Sequence, residues 1–296
     1  MSGVEHAIDR SVAFLRARQA ASGWFVDYDE LPVGASDGWV TAWVGRALAA
    51  AGARDAALAC AQWLCRTRGH AAGFGYNAST AADADSTAHV LALARALDQP
   101  VEARDVAWLL ARQRASGGFA TYDRRDAWGV AHIDVTPVAF LALPDGERAA
   151  IAGRVRRFID DCRAPDGTWP AYWWRSNHYS TYWNLRALRA LGECAPSEPR
   201  QSALTKPVHP IGSSFELAFA LGAAQLAGEA TGRLLETLLA AQRSDGSWAG
   251  APNLRLSSPL CPRPWESQSG PFYTDGRDLM TTASALYVLT TFCNAS

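Results

Sequence analysis

Six times along the chain a Thr or Ser leads into an Ala- and Leu-rich stretch: Thr41 (VTAWVGRAL), Thr87 (STAHVLALA), Thr136 (VTPVAFLAL), Thr181 (STYWNLRAL), Ser214 (SSFELAFAL) and Thr282 (TTASALYVL). The gaps between copies are 46, 49, 45, 33 and 68 residues. A fixed motif at such a period marks stacked supersecondary units, each with room for two helices and their loops. A second, amphipathic helix with an Arg-rich face is predicted between copies, over 5–19, 54–67, 101–113, 147–162 and 229–242. Most of these end in a glycine followed by a ring: Gly23-Trp24, Gly73-Phe74, Gly118-Phe119, Gly167-Thr168-Trp169 and Gly246-Ser247-Trp248. Glycine there suits a left-handed helix C-cap. Five outer and six inner helices in alternation predict an all-α fold, a single (α/α)6 toroid of six helical hairpins spanning 1–296. An open helical solenoid is the alternative; closure is preferred because an open array needs polar caps.

Two gaps break the rhythm. The shortest has no room for a full partner helix, and 195–210 is Pro-rich and polar. The longest holds an insertion, 249–277, with Pro252, Pro259, Pro262, Pro264 and Pro271, which cannot continue a helix. Its Leu254, Leu256, Leu260, Trp265, Phe272 and Tyr273 need apolar cover, so it is expected to form a lid or channel wall.

Composition narrows the function. With 296 residues a single domain buries about three quarters of its unfolded surface. A net charge of -1 supplies no electrostatic footprint for nucleic acid. No apolar run reaches the roughly 18 residues of a membrane span. Met1 to Arg10 carries Glu5, Asp9 and Arg10 and does not read as a signal peptide. Cys60, Cys65, Cys162, Cys194, Cys261 and Cys293 form no zinc-type pair and read as reduced, mostly buried thiols of a cytoplasmic protein. Neither a metal nor a cofactor is called for. The expected partner is a small apolar molecule, and a homodimer or a peripheral membrane contact is compatible with the composition.

Chemistry concentrates in Gly73 to Leu93, where Asp83-Ala84-Asp85-Ser86-Thr87 opens an apolar helix. N-capping accounts for one of the two aspartates, not both. Asp85 and His89 stand four apart and share a helix face, so a carboxyl at the mouth of an apolar helix has a His above it, a plausible tuned acid.

Gln242-Arg-Ser-Asp-Gly246-Ser-Trp248 resembles the QxxxGxW repeat of squalene-hopene cyclases and related terpene cyclases, Gln113 to Phe119 is similar with Phe for Trp, and Gln19 to Trp24 is a shortened copy. Asp83-Ala-Asp85-Ser86-Thr87-Ala88 resembles the DxDDTA motif of class II cyclases. The resemblance implies an (α/α)6 toroid in which each repeat ties an outer helix end to the next inner helix. It also implies that Asp85 protonates an isoprenoid alkene or epoxide beside Asp83. Ser86 stands where that motif has its last aspartate, and those cyclases pair two barrels where this chain has one.

Alignment of the inner helices on their Thr or Ser sets Trp39, Asp85, Asp134, Tyr179, Gly212 and Met280 two residues before it. It sets Trp43, His89, Val138, Trp183, Glu216 and Ser284 two residues after it. Each pair forms one stripe. Pointing inward, the stripes would line an aromatic cavity able to stabilise a cation; core packing is the competing reading for each Trp and Tyr. Asp134 either caps its helix or serves the site. Glu216, inside FELAFAL, must pair or line the cavity. Rim loops add Trp128, His132, Trp174 and His178. The leading expectation is therefore a terpene-cyclase-like enzyme with Asp85, Asp83 and His89 at its catalytic centre. A non-catalytic prenyl- or lipid-binding module and a carbohydrate-active (α/α)6 enzyme are the alternatives.

Overall fold

The computed structural model describes residues 3–69, 71–192, 212–267 and 269–293. Its inner helices are α2 (Gly38–Ala50), α4 (Ala84–Ala96), α6 (Thr136–Ala142), α8 (Asn177–Ala190), α9 (Ser214–Ala227) and α12 (Leu279–Cys293). Each begins within four residues of its Thr or Ser. They pack in the order α2, α4, α6, α8, α9, α12, and α12 returns to α2, so the ring is closed and the open solenoid is ruled out. The outer layer is α1 (Gly3–Arg18), α3 (Arg54–Thr67), α5 (Ala103–Leu110), α7 (Asp145–Asp161) and α10 (Gly232–Ala240). Five hairpins are thus seen complete. The Pro-rich stretch 195–210, before α9, lies outside the described residues.

The repeated threonine has a specific job. Its hydroxyl accepts the backbone N–H of the ring that ends the preceding outer-helix loop: Phe25 to Thr41 (2.8 Å), Phe74 to Thr87 (2.9 Å), Phe119 to Thr136 (2.8 Å), Trp169 to Thr181 (3.2 Å) and Trp248 to Thr282 (3.1 Å). A buried donor is satisfied five times by one side chain type, which explains the period. The pairing also corrects the first repeat: its ring is Phe25, so Gln19 to Phe25 is a full-length copy and not a shortened one.

The glutamine-containing loops reach the next outer helix as well as the next inner one. Gln19 Nε2 donates to Gly23 O and to Ala56 O on α3, and Gln242 Nε2 donates to Gly246 O and to Ala7 O on α1, closing the outer ring across the chain ends. At Gly246, with φ +91°, a Cβ would lie 2.3 Å from Arg10 O, so only glycine lets the loop settle on α1.

Among the described residues the paired strands lie at the rim. β1 (Phe74–Gly75) pairs antiparallel with β2 (Ala82–Asp83), directly before α4. In the 249–277 insertion β3 (Pro252–Arg255) pairs with β4 (Phe272–Thr274), and α11 (Pro264–Ser267) lies between them. The insertion is fastened to the rim loop before α8: Arg175 N donates to Asn253 O and Arg255 N to Trp173 O. Leu254 is buried, but Leu260 is 86% exposed, contrary to the expected cover; its neighbours Pro259 and Cys261 accept hydrogen bonds from Ala127 N–H and the Tyr172 hydroxyl, and its own side chain is left in solvent. No described helix is long and apolar enough to cross a membrane.

Candidate active site

A cavity of about 650 Å³ opens at the end of the barrel where the inner helices begin. The size is that of a site for a drug-sized molecule, roughly 300–1,000 Å³. Asp83, Asp85 and Ser86 from α4 and its approach, Trp39 from α2 and Trp174 from the rim line it. Tyr76, Tyr122, Trp108, Trp128 and Trp173 add further rings, and Leu254, Arg255 and Leu256 of the insertion close one wall. The insertion therefore stands on the Asp85 side, where a channel wall was expected.

The two aspartates have different tasks. Asp83 Oδ1 accepts the Ser86 N–H and Oδ2 accepts the Ser86 hydroxyl, both at 2.7 Å, so both oxygens are engaged in capping α4. Ser86, at the place of the motif's last aspartate, is the partner that fixes this cap. Asp85 is left to the cavity. Its Oδ2 accepts Trp39 Nε1–H at 2.8 Å, while Oδ1 has no partner among the described residues. Burial lifts its carboxyl first, and the Asp83 charge adds to this, so that it titrates at about 8 against the Trp39 hydrogen bond and the Arg46 charge, which lower it. At neutral pH it is held as the acid.

His89 stands one turn along α4 from Asp85, against Arg46. Arg46 Nη1 lies 2.5 Å from His89 Nδ1. A guanidinium only donates, so Nδ1 must accept and the ring proton resides on Nε2. That nitrogen is 3.6 Å from Asp85 Oδ2, beyond hydrogen-bond distance in the resting site. Burial and then the Arg46 charge push His89 well below its usual range, so the ring is neutral and the Asp85–His89 contact is not an ion pair. Trp39 Nε1–H bonds Oδ2, and His89 Nε2 stands nearest the same oxygen. The Asp85 proton belongs on Oδ1.

Several expected site residues are elsewhere. Trp43, Trp183 and Met280 are 1% exposed or less, and none lines the cavity. Trp43 packs on His89 (4.9 Å) and Trp183 (5.9 Å), and Tyr179 stacks behind Trp174 at 4.3 Å. The stripes do point inward, but below Asp85 the rings interdigitate and fill the axis. Asp134 neither caps α6 nor reaches the cavity; its Oδ2 accepts the Tyr172 and Trp173 N–H groups, both at 2.8 Å, and shapes the rim loop. Glu216 also misses the cavity: Oε2 accepts Gly212 N–H, one residue before the N-cap, and Glu216 N–H donates to the N-cap Ser213 Oγ, so both groups close the start of α9. His132 is stacked on Tyr172 at 3.9 Å, with Nδ1 on the Thr121 hydroxyl and Nε2 on Ala127 O. His178 is half-buried at the start of α8 and does not line the cavity. Burial pushes each of these two rings down to about 4, and both are neutral. Sequence reasoning missed Trp108, Tyr122 and Arg255; Tyr76 falls within the Gly73 to Leu93 stretch it singled out, and Trp173 opens the rim loop that carries Trp174 and His178.

No family model matches the chain, and no curated protein matches it. Solved structures do. MstE, a type II terpene cyclase from Scytonema, superposes with a TM-score of 0.87 at 24% identity over 99% of both chains. The chain has the type II terpene cyclase fold. Structures of MstE variants hold geranylgeranyl dihydroxybenzoate, its substrate, and merosterolic acid A, its product. The ent-copalyl diphosphate synthase of Streptomyces platensis matches over 87% of this chain and 50% of its own, with TM-score 0.56 and 20% identity. A glycosidase matches over 98% and 97%, with TM-score 0.57 and 12% identity. The near-complete overlap with MstE also disposes of the size difference, since that cyclase has one barrel of this extent.

Proposed function

We propose that this protein is a terpene-cyclase-like enzyme in which Asp85 protonates an isoprenoid or other polyene. The observation that carries the reading is a carboxyl in the wall of an aromatic cavity, lifted by burial to about 8, with Trp39 Nε1–H on Oδ2 and no partner for Oδ1 among the described residues. The likeness to MstE, a cyclase of a prenylated substrate, supports it.

In the proposed step the Oδ1–H bond breaks and a C–H bond forms at one alkene carbon, leaving a tertiary cation and the Asp85 carboxylate. The next alkene supplies the electrons that close a ring. Loss of a proton from the last cation returns the balance. Trp39 Nε1–H and His89 Nε2–H strengthen toward the charge that develops on Oδ2, with Arg46 behind them, so the site favours the conjugate base more than the resting acid would suggest. Trp39, Tyr76 and Trp174 present ring faces to the migrating cation.

The test is turnover of polyprenyl substrates in deuterated water. Asp85 exchanges its proton with solvent, so a cyclised product carrying one deuterium at the initiation carbon is expected. Substrate that binds and is recovered unchanged identifies a prenyl-binding module instead.

A further inference from the structure

Two guanidiniums stand in the closed half of the barrel, and among the described residues neither has a carboxylate partner. Arg46 of α2 is buried and gives Nη1 to His89 Nδ1. Arg186 of α8 is half-buried and gives Nη1 to the hydroxyl of Tyr287, on α12, and to that of Tyr182 at 3.2 Å. Ring faces surround both cations, which lie 5.0 Å and 5.3 Å from the Trp183 ring centre and 5.5 Å and 5.4 Å from that of Tyr287. Two like charges so close, and largely out of water, call for an anion.

Tyr287 is the group placed to supply it. Its oxygen accepts from Arg186, a guanidinium can only donate, and among the described residues the phenol's own hydrogen has no acceptor. Tyr182 differs, because Thr291 Oγ1 stands 3.5 Å from its hydroxyl and gives its hydrogen a place. Burial lifts Tyr182, and the Tyr287 charge lifts it further against Arg186. Burial acts on Tyr287 in the same sense, yet Arg186 and then Arg46 outweigh it. The elements packed on α12 bring no rival charge to this spot: α2 supplies Arg46, α8 supplies Arg186 and Tyr182, and α1 and α9 bury apolar side chains apart from Ser11.

The charge reaches beyond its own contacts. Arg46 holds His89, whose Nε2 is 3.6 Å from Asp85 Oδ2, and the Arg46 charge draws Asp85 toward its carboxylate. A second unmatched guanidinium behind Arg46 would draw harder, and an anion shared by the two offsets that pull. We infer that Tyr287 is a phenolate in the folded protein, the shared anion of Arg46 and Arg186, and that its charge helps Asp85 remain an acid. Tyr287 touches no substrate and acts through Arg46 and His89. The role given to it rests on the cyclase reading, but its charge is measured without substrate.

The experiment is NMR of the whole protein carrying isotope-labelled tyrosine and aspartate. At neutral pH one of the eight tyrosine Cζ resonances is expected at the phenolate position, and it should vanish in Tyr287→Phe. In the same variant the Asp85 carboxyl, assigned by its loss in Asp85→Asn, should titrate about one pH unit lower than in wild type. No phenolate in the wild type, a phenolate that survives Tyr287→Phe, or an Asp85 midpoint that does not move overturns the proposal. If Tyr287→Phe fails to fold, Arg186→Met decides: with one cation gone the phenolate resonance should titrate about one unit higher or more, and an unmoved midpoint overturns the proposal. A phenolate in a protein that cyclises nothing would sink the cyclase reading and leave the phenolate standing; cyclisation by a protein with no phenolate would do the reverse.

Discussion

The two ends of the inner barrel are both lined by rings, yet one is open and the other is shut. At the rim, Trp39, Tyr76, Trp128, Trp173 and Trp174 surround empty space beside a neutral acid. Below it, Trp43, Trp183, Phe219 and Tyr287 close on Arg46, whose guanidinium lies 5.0 Å from Trp183 and 5.5 Å from both Trp43 and Tyr287. The lower end holds cations: Arg186 also bonds the Tyr287 hydroxyl. Burial alone would raise that phenol, but Arg186 and Arg46 outweigh it and draw it below its usual range. Aromatic content therefore does not distinguish site from core in this fold. What distinguishes them is backbone. These rim rings stand on loops and on the first turn of a helix, whereas the core rings stand deeper, Trp43, Trp183 and Phe219 in the second turn and Tyr287 in the third.

If the rim is the chemical end, the largest effect belongs to Asp85→Asn. The replacement keeps the acceptor for Trp39 Nε1–H and resembles the protonated carboxyl, so the fold should survive. Turnover should fall by about three orders of magnitude or more, the scale of removing a general acid together with the charge it develops. Product analysis on purified enzyme checks it, and retained activity would reduce Asp85 to a structural group.

If the lower end is core, Trp183→Ala should act through stability. Trp183 is fully buried and packs against Trp43, Tyr182 and Tyr287, so its loss leaves a cavity worth about 3–5 kcal/mol. It also strips ring faces from Arg46 and Arg186. Denaturant unfolding should show the loss, and a variant as stable as wild type would contradict the assignment.

Much of this contrast was legible in the sequence, and the part that was not has a physical cause. The Thr period gave the inner helices to within about a turn because one hydrogen bond repeats at five of the six copies. Asp85 was legible because a second aspartate beside an N-cap has no capping work left. Helical stripes report direction, not depth, so Trp43 and Trp183 looked the same as Trp39. Glu216 was readable, since Ser213 three residues earlier makes a capping-box pattern. Arg255 was not: it lies in a non-periodic insertion, and that its guanidinium meets carbonyls and no carboxylate among the described residues is a fact of three dimensions.

The acid itself supplies the next test. Asp85 titrates near 4 when unfolded and at about 8 when folded, so the folded state keeps a proton that the unfolded chain releases across that interval. Its contribution to stability is therefore fully present below about pH 4, declines as pH rises to about 8, and is level above that. Asparagine does not titrate. Asp85→Asn should match wild type in melting temperature near pH 4 and exceed it increasingly toward pH 8, by an amount of order a few kcal/mol at most. Asp83, Asp134 and Asp275, lifted by burial to about 6, 6 and 7, titrate in both proteins and largely cancel in the difference. A constant offset at all pH values would mean that Asp85 is ionised in the folded protein.

The smallest expected effect sharpens the contrast most, because it sets one tryptophan against another. Trp128 is half-buried, on the rim loop between α5 and α6, and its Nε1–H donates to Ser257 O of the insertion at 3.2 Å. Removing that bond leaves the insertion fastened elsewhere: Ala127 N–H to Pro259 O, Arg175 N–H to Asn253 O, and Tyr28 hydroxyl to Asn253 Oδ1 at 2.7 Å. Since the indole faces the cavity and not the closed core, its truncation opens space already open and creates no sealed void. Trp128→Ala should cost about 1 kcal/mol or less, the scale of one partly exposed hydrogen bond, against several for Trp183→Ala. Its substrate KM should rise while the one-deuterium label persists, because the ring contacts the substrate and Asp85 still delivers the proton. A Trp128→Ala protein as unstable as Trp183→Ala would show that rim and core are one continuous packing unit.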